Sequence, residues 1–273
     1  MVQIAYAKMP GRKWYIFIDD DTMLVQPSLR LLLGNFNPSR PVYIGRPVGD
    51  YKGRFPYGGA TILSAEAMRR LHAPDAASIL AAARLRSLSE FWGEKLLADT
   101  MQQLGVYLDE GFAHHFDTGP QARDARVAQD RFCAPLVSFR GLSRTGEEEA
   151  PNLDIARLSS SSSSDVVRWC DIWHIFGLPT VSTMSPGQSM QGRDHVGIGT
   201  GAPDIKSFQR VKSAQACWER CRRQGGRRCL AWTWYEAAAM CYTAPWFIVG
   251  DSIDGLQSGL HVERIQELRS RCQ

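Results

Sequence analysis

Three consecutive aspartates, Asp19 to Asp21, follow a run of aromatic and β-branched residues at 14–18. Such a run is typical of a buried strand. Strand geometry continued into the acids would point Asp19 and Asp21 to the same face. Adjacent carboxylates repel one another, and a divalent cation that prefers oxygen ligands would offset the repulsion. The triplet therefore predicts a metal-diphosphate site, with a solvated acidic turn as the alternative.

A phosphatase of the haloacid-dehalogenase type is a second interpretation of the triplet. Those enzymes also place Asp-x-Asp after an apolar strand near the N-terminus, normally followed by Gly-Thr. Here Thr22 follows Asp21 directly, and this order disfavours the phosphatase.

The elements that would position the acids alternate between helix and strand. Strand patterns lie at 14–18, 42–45, 106–108 and 132–139, and the stretch 57–64 contains Gly58-Gly59 followed by β-prone residues. Helical patterns lie at 27–35, 65–72, 75–88 and 89–104. Ser64 is placed as the N-cap of the second helix, and Gly105 ends the fourth. This alternation predicts an α/β layer architecture.

The last third of the chain has a different character. Residues 144–165 are acidic and serine-rich and predict a disordered loop, and 183–203 is rich in Gly, Ser and Pro and predicts a linker. The expected domains are therefore 1–182 and 204–268. Five of the seven cysteines follow residue 216, which indicates a disulfide framework or a metal site.

Composition limits the class of protein. Hydrophobic residues make up 44%, charged residues 22%, and the net charge is +4, as in a soluble globular protein with no preference for nucleic acid. We find neither a membrane-length apolar run nor a signal peptide. Because the cysteines nevertheless indicate export, we expect the natural chain to begin upstream, with a membrane anchor there.

Five motifs occur in the order found in glycosyltransferase family 31, which contains Fringe and the core-1 β-1,3-galactosyltransferases. The segments that resemble this family, in its fungal branch, are 13–22, 41–45, 55–60, 92–94 and 132–139. The resemblance covers roughly residues 10–180. It implies a GT-A-type, Rossmann-like domain, incomplete here because few residues precede Asp19 to build the uridine-binding strands.

The resemblance also implies a reaction and its residues. The enzyme would be a UDP-sugar-dependent hexosyltransferase that moves a hexose, preferably galactose, to a glycan or glycoprotein acceptor with inversion and in β-1,3 linkage. Asp19 and Asp21 would hold Mn²⁺, with Asp20 beside them at the donor. Gly58 and Gly59, if not an ordinary turn, would let the backbone approach the sugar. Glu94, if not a helix-surface residue, would be the base.

Arg140 departs from the family pattern. Relatives carry a histidine there as a third metal ligand, whereas arginine is always cationic and cannot ligate a metal. Arg140 therefore allows metal-independent or weakened transfer, in which it contacts the diphosphate, or an inactive descendant of an enzyme. His114 and His115 could replace the missing ligand, but the family pattern does not support this.

The cysteine-rich segment resembles a PAN/Apple domain, a small α+β fold in which disulfides pin a helix to a sheet. Cys217 and Cys221 lie one helical turn apart and face the same way. The resemblance pairs Cys217 with Cys241 and Cys221 with Cys229. A zinc site is the alternative, disfavoured because close pairs of Cys-x-x-Cys type are absent.

Three further cysteines, Cys133, Cys170 and Cys272, have no assigned partner. The tryptophans of the segment, Trp232, Trp234 and Trp246, would either stack on a sugar or fill the core, and we favour the core. The rival to the enzyme is thus a catalytically inactive protein whose PAN module binds carbohydrate or protein. The family resemblance places either form in the Golgi or secretory pathway, as a type II membrane protein at full length.

Overall fold

The computed structural model describes residues 2–50, 53–117, 122–140, 166–224 and 229–272. Within these ranges the chain forms two compact units. The first contains the residues up to 117, 136–140 and Val166, and the second contains 122–135 and the residues from 167 onward. None of the helices in the described ranges is long and apolar enough to cross a membrane. The predicted disordered loop at 144–165 lies outside the described residues.

The helices in these ranges are α1 (Val2–Lys8), α2 (Gln26–Gly34), α3 (Ala65–Leu71), α4 (Ala77–Arg86), α5 (Gly93–Gln103), α6 (Ile172–Ile175), α7 (Ala214–Arg223) and α8 (Val262–Arg269). The strands are β1 (Trp14–Ile18), β2 (Thr22–Leu24), β3 (Tyr43–Ile44), β4 (Pro47–Asp50), β5 (Gly53–Pro56), β6 (Ala60–Ser64), β7 (Val127–Ala128), β8 (Ser138–Arg140), β9 (Met190–Arg193), β10 (Lys206–Phe208), β11 (Ala231–Tyr235), β12 (Met240–Ala244), β13 (Trp246–Phe247) and β14 (Ser252–Leu260). The mixture confirms an α/β chain.

A three-stranded antiparallel sheet with β6 in the middle forms the centre of the first unit. β1 pairs along one edge of β6, with Trp14 opposite Ser64, and β3 pairs along the other edge. Every residue of β6 is buried, so apolar side chains cover both of its faces. Tyr15, Tyr43, Leu63 and Met68 belong to one cluster, and Leu29, Ile44, Ile62 and Val137 belong to the other.

Ser64 joins this sheet to α3. Its hydroxyl oxygen accepts hydrogen bonds from the Ala67 N–H at 3.1 Å, as the predicted N-cap should, and from the Val42 N–H at 2.9 Å. The hydroxyl also donates to the Arg40 carbonyl at 2.7 Å. The predicted N-cap is therefore confirmed, and it satisfies two backbone groups outside the helix as well.

A five-stranded antiparallel sheet, in the order β10-β12-β11-β14-β9, forms the second unit, and α7 packs on β11. Disulfides link Cys217 to Cys241 and Cys221 to Cys229, the same pairs that the resemblance implies. A third links Cys133 to Cys272. Among the described residues Cys170 is the free cysteine, and it is buried. Trp232, Trp234 and Trp246 are all buried, as the core interpretation predicts.

The stretch expected to be a linker, 183–203, contributes to the sheet of the second unit. Its strand β9 pairs with β14, placing Met190 opposite Ser258. The Asp194 carboxylate, 3% exposed, accepts hydrogen bonds from the N–H groups of residues 196–198 and from the Thr233 hydroxyl. These bonds order the loop, although its Gly-rich composition by itself indicates flexibility.

Two expected strands differ from the structure. Residues 106–108 form no strand. In the segment 132–139 only Ser138 and Phe139 are in a strand, as part of β8. Pro135 lacks an N–H to donate, and the carbonyls of Phe132 and Ala134 accept from the N–H groups of Cys170 and Trp169. The segment is therefore divided between the two units.

We predict that Ser64→Ala lowers the free energy of unfolding by about 2–3 kcal/mol, since a cap is lost and buried backbone groups lose their partner. The matched control is Ser213→Ala, which removes an N-cap that bonds only the Ala216 N–H and should cost about 1 kcal/mol. Chemical denaturation of both variants checks this. Equal losses would contradict the role given to the two additional bonds.

Candidate functional site

The acidic triplet lies in a tight turn between β1 and β2. The Thr22 N–H donates to the Asp19 carbonyl at 3.1 Å, which closes the turn. Strand geometry ends at Ile18, so the alternation argument used above for Asp19 and Asp21 does not apply. Asp20 is exposed, whereas Asp19 and Asp21 are half-buried.

Pairing of β2 with β8 brings Arg140 to this turn, because Arg140 lies directly opposite Thr22. Its Nη2 is 3.4 Å from Asp19 Oδ2, and its Nε is 3.3 Å from Asp21 Oδ2. One guanidinium therefore contacts both carboxylates that the sequence suggests as metal ligands.

Tyr57 is a further neighbour of Arg140. The guanidinium carbon lies 5.5 Å from the centre of the Tyr57 ring. Burial lowers the pKa of Arg140, but a hydrogen bond with Tyr57 and the charges of Asp21 and Asp19 outweigh burial and hold that pKa above its ordinary value. Arg140 is thus a fixed positive charge in the site.

Gly58 and Gly59 make room for side chains of β8. Both have positive φ, +64° and +92°, a conformation that favours glycine. A Cβ on Gly58 would stand 3.2 Å from Cδ and Nη1 of Arg140, and one on Gly59 would stand 3.0 Å from Ser138 Oγ. The Gly-Gly pair thus allows close approach, here to the protein's own side chains.

Glu94 lies in the first turn of α5. The helix begins four residues later than expected, at Gly93, and the Glu90 carboxylate accepts from the Trp92 N–H at 3.4 Å in the preceding loop. The N-terminal end of a helix favours negative charge. Burial, together with the charges of Glu94 and Asp99, raises the pKa of Tyr43 above its ordinary value.

A cavity of about 430 Å³ brings four of the predicted site residues together, namely Asp19, Gly58, Gly59 and Glu94. The rest of its wall comes from Val2, Phe17, Ile18, Pro56, Thr61, Gly93 and Leu97. Asp21 and Arg140 are outside this wall and adjoin it through Asp19 and Gly58. The charged residues in the wall are two carboxylates, so the cavity is acidic.

Tyr57 and Trp92 are neighbours of the site that the sequence did not single out. Their rings meet edge to face with centres 5.1 Å apart, and each residue directly precedes a glycine of the cavity wall. Both belong to segments quoted for the family resemblance, but a motif does not reveal that two distant rings touch.

The side chains as arranged do not fit a divalent cation at Asp19 and Asp21. A guanidinium already pairs with both carboxylates and offsets one of their two charges, so a metal ion would have to displace it. Within the described part of the chain no group of three His, Cys, Asp or Glu residues could hold a metal ion. The rings of His114 and His115 lie side by side, with centres 4.2 Å apart, in a short 3₁₀ helix at residues 110–115.

Residues 1–56 match the Fringe-like family model. The matched segment holds β1, the acidic turn and the strands up to β5, and it ends just before Gly58. Over this segment the match supports a Fringe-like protein, and the class it indicates is a glycosyltransferase. No solved structure matches the chain.

We predict that Gly58→Ala displaces Arg140, because the new methyl group would press on its Cδ and Nη1. Gly105→Ala is the matched control, since Gly105 has φ +71° and nothing within 4 Å of a new Cβ. Both variants should lose about 1 kcal/mol of stability from backbone strain. Only Gly58→Ala should shift the Nε–Hε NMR signal of Arg140, assigned by its loss in Arg140→Lys. An unshifted signal would contradict the prediction.

Proposed function

We propose that this chain is a glycosyltransferase that moves a hexose from a UDP-sugar to a glycan or glycoprotein acceptor, with inversion and in β-1,3 linkage. The proposed donor is UDP-galactose. The observation that supports this most directly is the cavity wall shared by Asp19, Gly58, Gly59 and Glu94. These residues come from three separate segments of the chain, and the family resemblance assigns all of them to one site.

In the proposed reaction Glu94 is the general base. Its carboxylate takes the proton from an acceptor hydroxyl, the hydroxyl oxygen forms a bond to C1 of the hexose, and the bond from C1 to the phosphate oxygen breaks. The electron pair of that bond leaves with UDP, and the positive charge of Arg140 stabilises the departing diphosphate.

The secretory pathway is the proposed location. Three disulfides connect described residues, and structural disulfides are typical of oxidising compartments. The Fringe-like match agrees with this location. A PAN/Apple identity for the cysteine-rich part of the second unit belongs to the same proposal.

A non-catalytic protein is the second candidate, and one observation favours it. Arg140 already pairs with Asp19 and Asp21, so both carboxylates have a partner without a bound donor. In that case the transferase-like unit is a scaffold, and the cysteine-rich unit binds carbohydrate or protein.

Two measurements separate the two candidates. Calorimetry measures the binding of UDP, and mass spectrometry of mixtures of UDP-galactose with methyl hexosides detects hexose transfer. The enzyme should bind UDP and add one hexose to an acceptor. A folded chain that does neither, with UDP-glucose and UDP-N-acetylglucosamine also tried, would overturn the enzyme and favour the second candidate.

We predict that Glu94→Gln lowers the transfer rate by about 10²–10⁴-fold, because the amide cannot accept the acceptor's proton. UDP affinity should remain within about twofold, since the proposed base does not hold the donor phosphates. The matched control is Glu110→Gln, which removes a carboxylate paired with Arg54 outside the cavity wall and should leave the rate unchanged. A Glu94→Gln variant as fast as the control would remove Glu94 from the mechanism.

A further inference from the structure

We propose that Arg140 is the resident cation of the Asp19–Asp21 pair and takes the place of a divalent metal ion there. The part that concerns cation binding stands without the proposed function, whereas the part that concerns UDP rests on it. The expected ligand is the diphosphate of a nucleotide, bound without a metal.

The contacts of the Arg140 guanidinium are the main evidence for the proposal. Two of its nitrogens, Nη2 and Nε, each face a different carboxylate, at 3.4 Å and 3.3 Å. A planar fork that spans two acids provides one of the two positive charges that a divalent metal ion would provide. These distances are longer than the roughly 2.7–2.9 Å of a tight charged hydrogen bond, so the pairing with the two acids is loose.

Arg140 is held in this position by its surroundings. Its backbone pairs with Thr22 in the β2–β8 ladder, Tyr57 lies against its guanidinium, and Gly58 leaves room for its Cδ and Nη1. Only 21% of the side chain is exposed. The surface pair of Arg54 with Glu110 contrasts with it, because the Arg54 side chain is 50% exposed.

A metal-dependent site and the site proposed here predict opposite changes in UDP affinity when Asp21 is lost. Asp19, Asp20 and Asp21 carry three negative charges and Arg140 one positive charge, so the acids oppose the attraction of Arg140 for an anion. In a metal-dependent site, loss of Asp21 removes a ligand and weakens UDP binding. In the site proposed here, loss of Asp21 reduces the repulsion and frees the Nε of Arg140, so UDP binding becomes tighter.

The first test is a Mn²⁺ titration of the full chain, in which water-proton relaxation measures the binding of the metal ion. Arg140→Gln should bind Mn²⁺ at least about tenfold more tightly than the wild-type chain, because a fixed positive charge is removed. Arg140→Gln combined with Asp21→Asn should lose that site. Arg54→Gln, which also removes one arginine from an ion pair, should behave like the wild type. Equal Mn²⁺ affinity in the wild type and Arg140→Gln would overturn the proposal.

The second test is calorimetry with UDP in EDTA, on the wild type and on Asp21→Asn, with UMP for comparison. The proposal expects metal-free binding of UDP, binding about threefold tighter in Asp21→Asn, and much weaker binding of UMP. Binding of UDP only with Mn²⁺, and its loss in Asp21→Asn, would overturn it. This test also covers the case in which Arg140→Gln does not fold.

Failure of the proposed function gives a different result. If UDP binds to none of the folded chains with or without Mn²⁺, the proposed donor site is wrong. The Mn²⁺ titration then still decides the role of Arg140, because that titration needs no nucleotide.

Discussion

The antiparallel pairing of β8 with β2 is the interaction on which the candidate site depends. This short ladder places Arg140 opposite Thr22, at the end of the acidic turn. The strand also places Ser138 where its hydroxyl accepts from the Ala60 N–H at 3.2 Å, next to Gly59. One strand of three residues therefore connects the acidic turn to the Gly-Gly loop, although more than a hundred residues of chain separate it from the turn.

The charges at this junction affect ligand binding more than stability. The three side chains of the ion-pair group are 21–43% exposed, and partly exposed pairs contribute little to folding because water and salt screen them. The stability of the region comes instead from the buried β6 and from the cap made by Ser64. A change at Arg140 therefore alters the charge of the site without removing its scaffold.

Sequence patterns predicted the parts of the fold that depend on neighbouring residues. The aromatic run at 14–18 became β1, and Ser64 capped α3, because strand propensity and capping act within a few positions. The stretch 183–203 depends on a distant partner instead. Its Gly-rich composition resembles a linker, but the bond from Thr233 to the Asp194 carboxylate and the pairing of β9 hold it in a sheet. No local pattern contains that information.

The same limit applies to the site. The family resemblance selected Asp19, Gly58, Gly59 and Glu94, which share one cavity wall, but their roles in the reaction stay predictions. Spacing alone gave the wrong reason for grouping Asp19 with Asp21, since a turn replaces the strand there.

Arg140 is the residue for which sequence and structure together say most. The family resemblance implies a metal-ligating histidine at the position of Arg140, and this departure alone permits either a lost activity or a changed one. The structure adds the positions of its charged neighbours: the guanidinium contacts both acids and is supported by Tyr57. An arginine beside two carboxylates pairs with them in an inactive protein as well as in an enzyme. The contact therefore identifies the cation of the acidic turn, and it does not choose between a changed and a lost activity.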